Sequence, residues 1–534
     1  MQSFAEETRK RFSVFPPLFL SADTRSLKLE LKPYLQPFEQ ELAIRELRSL
    51  LQSNAKIVES DGYHIVQTDK PMEFFRDRLT YWQRVGKTVI EPTIQTTLEF
   101  AQNGMAQLKE RASLHNARRL RYGPHDLHEY RGKFFPQLVR SLINISGISE
   151  AGIVLDPFCG SGTTPCEVLA SGRSVVAVDL NPLSVLIARV KSTIVLEKPD
   201  TFKETICKYL NKFQFATTKE KVTWSERDVE YLLRWFNPKA LDDISAILSE
   251  IQGVREPFYQ DIFRVCLSNI IRSVSWQKDT DLRVRKEVKP YQVGKAIQLF
   301  QEEVQQQFER IHAYLCMLPR IKTKPSVNIY QGDAVKIDRL LSKHAGKIGL
   351  LITSPPYATA LPYLDTDRLS LVILGLLPRT EHKDTEMYMV GTREISERKR
   401  QEAWENYQIR KGELPASVTK LIDQIADANH GNGIGFRRRN LPALLGKYFL
   451  DMLDSMRAAH SLMCPDAKAF YVVGNNSTIV IGKRIEIPTN EFLFEVGVAA
   501  GFKAEETIPM ELLVSRDIFK FNRGTAESIL CFRA

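Results

Sequence analysis

The pattern of apolar and polar positions changes character several times along the chain. From about residue 25 to 100 strand and helix signals mix: Phe38–Leu51 has apolar residues at helical spacing, and Lys56–Val66 reads as two short strands joined at Asp61-Gly62, a favoured hairpin turn. From Gly152 the order becomes apolar strand, glycine turn, helix, apolar strand. Val154-Leu155 leads into Gly160-Ser161-Gly162, a helix follows through Leu169, and Ser174–Val178 is a β-rich run ending at Asp179. This alternation predicts a parallel α/β sheet. Between about 200 and 318 strand signals vanish and amphipathic helices take over, with Ile297, Phe300, Val304, Phe308, Ile311 and Leu315 spaced to line one face. Strands resume at Val327–Tyr330 and Ile348–Ile352, and a polar, basic stretch runs from about 379 to 440. A helix near Tyr448–Leu462, a strand at Ala469–Val473, a helix near Glu491–Ala500 and strand-like runs up to Phe532 follow. The expected organisation is therefore an N-terminal α+β unit (1–120), a first sheet segment (121–198), a helical insertion (199–325) and a second sheet segment (326–534) interrupted at 379–440.

Composition narrows the class. At 534 residues with 43% hydrophobic and 26% charged residues, the chain is neither disordered nor fibrous. Lysine and arginine number 74 against 64 acidic residues, a net charge of +10 that favours a polyanionic partner. The 7 cysteines include no CxxC pair, so neither a disulfide framework nor a zinc ribbon is expected and a reducing compartment is the default. His125 and His128 stand at short spacing, but no acidic or cysteine partners complete a recognisable site, so no metal site is expected. The longest apolar run, Leu369–Leu377, is about half of what a bilayer span requires. Glu6 and Glu7, with Pro16 and Pro17 breaking the next apolar patch, make a poor signal peptide. The expectation is a cytoplasmic protein with no membrane partner.

Two segments carry chemistry. Asp156-Pro157-Phe158-Cys159-Gly160-Ser161-Gly162-Thr163-Thr164 lies directly after an apolar strand and opens a helix. Glycines there let a ligand approach the backbone, and the helix N-terminus offers amide groups to an anionic part of it. The same logic serves dinucleotides, but no third glycine completes GxGxxG and no lysine follows as in a phosphate-binding loop. The second segment, Ser354-Pro355-Pro356-Tyr357, follows the strand ending near Ile352. Its two prolines cannot extend a ladder and hold a rigid turn, which aims a hydroxyl, a carbonyl and an aromatic ring at one spot.

Asp156–Thr164 resembles the cofactor loop of the S-adenosylmethionine-dependent amino-methyltransferases that modify DNA. The resemblance implies a Rossmann-like class I methyltransferase sheet and S-adenosylmethionine as cofactor, without a metal. It assigns cofactor contacts to Asp156, Pro157, Phe158, Gly160, Gly162, Thr163 and Thr164, and to Asp179 on the ribose. His128–Pro136 resembles the family's upstream motif, whose Lys133 and Phe134 would lie beside the methionine end. Gly332-Asp333-Ala334 matches the loop whose aspartate accepts from the adenine amine. Tyr471–Asn475 and the run from Arg523-Gly524 to Leu530 resemble later strands. The turn reads (D/N/S)PPY in this family, and serine in first place is associated with N4-cytosine methylation. The lone pair of an exocyclic amine is delocalised into the base, so the Ser354 hydroxyl and a backbone carbonyl of the turn would hold its protons while Tyr357 stacks on the extruded ring. A cytosine C5 enzyme would need a cysteine nucleophile; Pro165-Cys166 lies inside the helix after the loop, where a structural cysteine is expected.

For nucleic-acid contact two stretches stand out: Arg272, Trp276, Lys278 and Arg283 combine cations with an aromatic, and Arg437, Arg438 and Arg439 follow a glycine-rich run that reads as a loop. Arg118, Arg119 and Arg121 form a further cluster. The N-terminal unit and the helical insertion are candidates for target recognition. The function expected is transfer of a methyl group to cytosine N4 in double-stranded DNA after base flipping, in a bacterial or archaeal cytoplasm, nucleoid-associated when bound. A cognate restriction endonuclease enters as a partner by resemblance only. Adenine N6, RNA bases, and a non-catalytic binding role are the alternatives.

Overall fold

The computed structural model describes residues 25–52, 57–60, 62–101, 121–130, 135–213, 222–278, 285–358, 363–392, 395–429, 435–480, 483–510 and 527–534. The N-terminal unit is an antiparallel sheet in the order β2-β3-β1-β4-β5, made of β1 (Arg25–Leu31), β2 (Ile57–Ser60), β3 (Tyr63–Thr68), β4 (Trp82–Gly86) and β5 (Ile90–Pro92). Ser60 pairs with Tyr63 and Gly62 has φ +78°, so a tight turn joins β2 and β3; Asp61 of the expected turn lies outside the described residues. The helix Pro37–Leu51 begins with proline, and Glu39 reaches back to the Gln36 amide at 2.8 Å.

The central sheet contains β6 (Ile153–Asp156), β7 (Ser174–Asp179), β8 (Val327–Gln331), β9 (Ile348–Thr353) and β10 (Met463–Gly474). A hairpin, β11 (Asn476–Val480) and β12 (Lys483–Ile487), leaves its edge, and β13 (Lys503–Met510) and β14 (Glu527–Arg533) complete it. The order is β8-β7-β6-β9-β10-β14-β13, and β14 alone runs against the rest. Ordered in this way, seven strands with one reversed strand make the Rossmann-like class I methyltransferase sheet.

Strand periodicity explains its two covered faces. Val154, Val175, Leu350, Ile352, Phe470, Val472, Ile529 and Cys531 point to one side, with the helices Pro136–Ser146 and Thr163–Ala170. Their neighbours Leu155, Val176, Leu351, Tyr471, Val473, Leu530 and Phe532 point to the other, against the helices Phe436–Leu462 and Thr489–Ala499. A sheet buried on both faces must be apolar at consecutive positions, which is why these strands were legible as short apolar runs. The N-terminal unit shares the first of these cores through Leu27, Leu42 and Leu47, and buried polar groups join it to the sheet: Glu99 accepts from Lys32 at 2.7 Å and from Gln137 at 3.0 Å.

Among the described residues, five helices stand between β7 and β8 after the crossover helix Pro182–Ile194: Pro199–Lys212, Glu226–Leu233, Pro238–Gln252, Pro257–Val274 and Lys295–Met317. Phe300, Val304, Ile311 and Leu315 are buried there, in one core with Leu186, Ile187 and Val190 of the crossover helix and with Leu369 and Val372 of the helix Tyr363–Ile373. The insertion is thus built onto the outer side of the sheet's own helix layer.

The basic stretch 379–440 departs from its reading as a polar interruption. It contains the helices His382–Tyr388, Glu397–Arg410 and Ala416–Ala428, whose Tyr407, Val418, Ile422 and Ile425 are buried in the core shared with Phe436–Leu462. Much of its charge is neutralised locally: Arg400 bonds Glu397 at 2.5 Å, Arg398 bonds Glu402 at 3.0 Å, and Arg410 bridges Glu413 and Asp454. Arg437–Arg439 are likewise corrected from a loop to the first turn of the helix that starts at Phe436. Among the described residues, no helix is long and apolar enough to cross a membrane.

Candidate functional site

The C-terminal ends of β6, β7, β8 and β9 converge on one cleft. After β6 the chain turns through Gly160 (φ +49°) and Gly162 (φ +85°) into the helix Thr163–Ala170. The two glycines serve different contacts. A Cβ on Gly162 would lie 2.6 Å from the Ala188 α-carbon, so this glycine seats the loop on the crossover helix. A Cβ on Gly160 would lie 3.0 Å from the Tyr130 ring, so part of the space expected to be open to a ligand is occupied by an aromatic wall.

Asp156 lies beneath the loop. It is fully buried, accepts from Thr353 Oγ1 at 2.6 Å and from the Phe158 amide at 3.1 Å, and burial outweighs these bonds to push its carboxyl up to about 7. Because Thr353 precedes Ser354, this carboxyl clips the two chemistry-bearing segments together. Asp179 is at the cleft surface, where its oxygens accept from the amides of Gly160 and Asn181, each at 2.8 Å. Burial pushes it up to about 6, with the backbone donors pulling in the opposite direction.

The cleft encloses about 750 Å³ of empty space, part of it open to solvent. Pro157, Phe158, Gly160 and Thr163 line it from the loop, Asp179 and Asp333 from the ends of β7 and β8, and Ser354 and Pro356 from beyond β9. Asp333 Oδ1 accepts from the Val335 amide at 3.0 Å, which fixes the carboxylate at the edge of a short turn. This donor and acceptor set fits an adenosyl group: two carboxylates on either side of the β7–β8 edge for a ribose diol and an adenine amine, apolar walls, and backbone amides at a helix start.

In the Ser354–Tyr357 turn, Ser354 is half-buried and its Oγ has no hydrogen-bond partner among the described residues. Tyr357 is held from two sides. Its hydroxyl donates to Glu527 Oε1 at 2.6 Å at the start of β14, and its ring lies against Gly474 at the end of β10, where a Cβ would come within 2.9 Å. From beneath, Gly391 (φ +76°) would bring a Cβ to 2.8 Å from the Tyr357 carbonyl oxygen.

Not every residue assigned from the sequence meets the cleft. Asp156, Gly162 and Thr164 form its foundation, and Pro355 and Tyr357 stand beside its lining. Lys133 and Phe134 lie outside the described residues. Sequence reasoning missed the wall formed by Tyr388, Met389 and Val390, which comes from the basic stretch; the 63% exposed Tyr388 side chain carries no motif that would have marked it. Tyr130, in the segment that resembles the upstream motif, also lines the cleft, although the resemblance assigns it no contact.

The nucleic-acid candidates scatter. Arg272 lines a second cleft behind Tyr130. Trp276 is less open than expected: Lys286 covers one face with its ammonium 4.9 Å from the ring centre, and Nε1 donates to the Lys289 carbonyl at 3.1 Å. Lys278 is exposed and Arg283 lies outside the described residues. Arg438 and Arg439 are exposed, and the Arg437 side chain lies outside the described part. His125 belongs to a buried hub in which Glu167 accepts from it at 2.7 Å and from Arg140 at 2.7 Å, and the carboxyl is lowered to about 2 despite burial. Burial pushes the Cys166 thiol up, and among the described residues no group of three or more His, Cys, Asp or Glu side chains is placed to hold a metal.

Against known proteins, the N6_N4_Mtase family model, described as DNA methylase, matches residues 47–190. The Type II methyltransferase M.MjaII of Methanocaldococcus jannaschii is 23% identical over 318 residues, 45% of this chain and 60% of the relative. The Type II methyltransferase M.MvaI of Kocuria varians is 21% identical over 396 residues, 70% of this chain and 80% of the relative. A tRNA (guanine(10)-N2)-dimethyltransferase of Methanocaldococcus jannaschii is 27% identical over 122 residues, 22% of this chain and 35% of the relative.

Proposed function

We propose that the chain is an S-adenosylmethionine-dependent DNA amino-methyltransferase that acts on cytosine N4 of a flipped base. The observation that carries this reading is the Asp156–Thr353 clip, which sets the glycine loop and the Ser354–Tyr357 turn on one cleft. The family match and the Type II relatives support the amino-methyltransferase class. Serine at position 354 supports cytosine over adenine within it.

Phe158, Asp179 and Asp333 would hold the cofactor, which supplies an electrophilic methyl group when bound. The chain's own residues then act on the target amine. Ser354 Oγ and a prolyl carbonyl accept its hydrogens, which turns the nitrogen lone pair out of conjugation. Tyr357 stacks on the ring, its plane set by Glu527 and Gly474. No covalent link to the protein is needed, in keeping with the burial of Cys166. Target recognition falls to the N-terminal unit and the helical insertion, and Lys278, Arg283 and Arg437–Arg439 are candidates for phosphate contacts. A cognate endonuclease and a nucleoid-associated cytoplasmic location belong to the same proposal.

A second reading, methylation of an exocyclic amine in RNA, draws on the similarity to the tRNA enzyme. Nucleoside mass spectrometry of DNA and RNA from cells producing the protein separates the outcomes. N4-methylcytosine in DNA is expected; N6-methyladenine would correct the base, a product confined to RNA would correct the polymer, and no product in either would overturn the enzyme.

A further inference from the structure

Behind Tyr130 lies a second cleft, with about 1000 Å³ of empty space, between the helix Pro257–Val274, the helix Tyr363–Ile373 and the segment 128–130. Tyr130 lines both clefts and accepts a hydrogen bond from Ser184 Oγ at 3.3 Å, so its ring is a wall common to this space and the first cleft.

The floor is polar and ordered: His128 Nε2 meets Ser268 Oγ at 2.9 Å, which meets Ser370 Oγ at 2.9 Å. Two groups on the wall have no side-chain partner among the described residues. Gln277 is only 4% exposed, yet its carboxamide has no hydrogen-bond partner among the described residues. The carboxamide lines the cleft and its polar atoms are not among those sealed away without a partner, so its donor and acceptor edge is open to whatever enters. Arg272, one helical turn beyond Ser268, likewise has no acidic partner for its half-buried guanidinium. Carboxylates are present too: Asp367 accepts from Asn181 Nδ2 at 3.0 Å, and Glu129 stands exposed at the rim. One cation and one amide edge without partners among the described residues, together with hydroxyls and carboxylates, do not make a generic polyanion groove. They suit a ligand that offers one phosphate together with donor and acceptor edges.

We propose that this cleft holds the nucleotide flanking the flipped base, with Arg272 on its phosphate and Gln277 on its base edge. The inference rests on the methyltransferase reading and deepens it, since it assigns part of sequence selection to the helical insertion. A carboxamide can bond a base edge through two groups at once, whereas a guanidinium on phosphate positions the strand without reading it.

The test uses the full chain with S-adenosylhomocysteine and a labelled DNA duplex of mixed sequence. Arg272→Ala should lower the slope of log affinity against log salt by about 0.9. Gln277→Leu, of similar size, should broaden the set of sequences methylated in cells, read by sequencing that detects modified bases. Both should bind S-adenosylhomocysteine as the wild type does. Because Gln277→Leu could disturb folding, Ser273→Glu on the exposed rim gives an independent measure and should weaken duplex binding. If the wild type binds duplex and all three variants match it in slope, affinity and sequence set, the cleft proposal alone falls. Loss of cofactor affinity in Arg272→Ala would assign the cleft to the cofactor instead. A wild type that binds no duplex overturns this inference together with the reading beneath it.

Discussion

The two clefts that share Tyr130 as a wall are built on different principles. The first lies at the ends of parallel strands, where β6, β7, β8 and β9 each deliver a short loop to the same edge. Each loop is continuous in sequence, so its residues travel together as a motif. The second is assembled from residues 128–130, 268–277 and 366–370, which meet only because the helical insertion packs on the crossover helix and on Tyr363–Ile373. Binding chemistry at strand ends is therefore readable locally, whereas chemistry between inserted helices has no local signature.

The strongest way to break this distinction is Gly160→Val. A branched side chain at φ +49° is strained by about 1–2 kcal/mol, and its Cβ would press on the ring common to both clefts. The strain itself lowers stability; a loop that shifts to relieve it no longer matches the cofactor, so affinity for S-adenosylmethionine by calorimetry should fall by about tenfold if about 1.4 kcal/mol must be spent restoring the loop on binding, and duplex affinity should fall with it. A folded variant with unchanged cofactor affinity would make the loop purely structural.

Tyr357 sharpens the distinction from within the first cleft. Tyr357→Ala should keep cofactor affinity but lose turnover, because base stacking contributes about 1–3 kcal/mol. Tyr357→Phe removes only the bond to Glu527 and should cost about 1 kcal/mol or less. Steady-state kinetics on DNA distinguishes the two; equal losses would assign the effect to the hydroxyl.

The last test reads stability rather than activity and concerns Asp156. Its folded carboxyl, at about 7 against an ordinary 3.8, holds a proton more tightly than in the unfolded chain. Its contribution to stability is therefore full below pH about 4 and is lost as pH rises through about 7. Asp156→Asn keeps an acceptor for Thr353 and removes the titration, so melting temperatures should match the wild type near pH 4 and exceed it above pH 7. Parallel melting curves for the two proteins would mean that Asp156 is not held protonated.

The strands β6 to β10, the glycine loop, the proline turn and the helical character of 200–318 were determined by the sequence itself, because a sheet buried on both faces needs runs of apolar residues and sharp turns at strand ends need glycine or proline. Only the tertiary structure decided that Asp156 supports the loop from beneath, that Tyr388–Val390 close the first cleft from a stretch that reads as basic surface, and that Gln277 faces a second cleft. Each of these depends on which distant helix lies alongside, and helix packing is specified by side-chain fit summed over whole surfaces, which no local spacing of residues records.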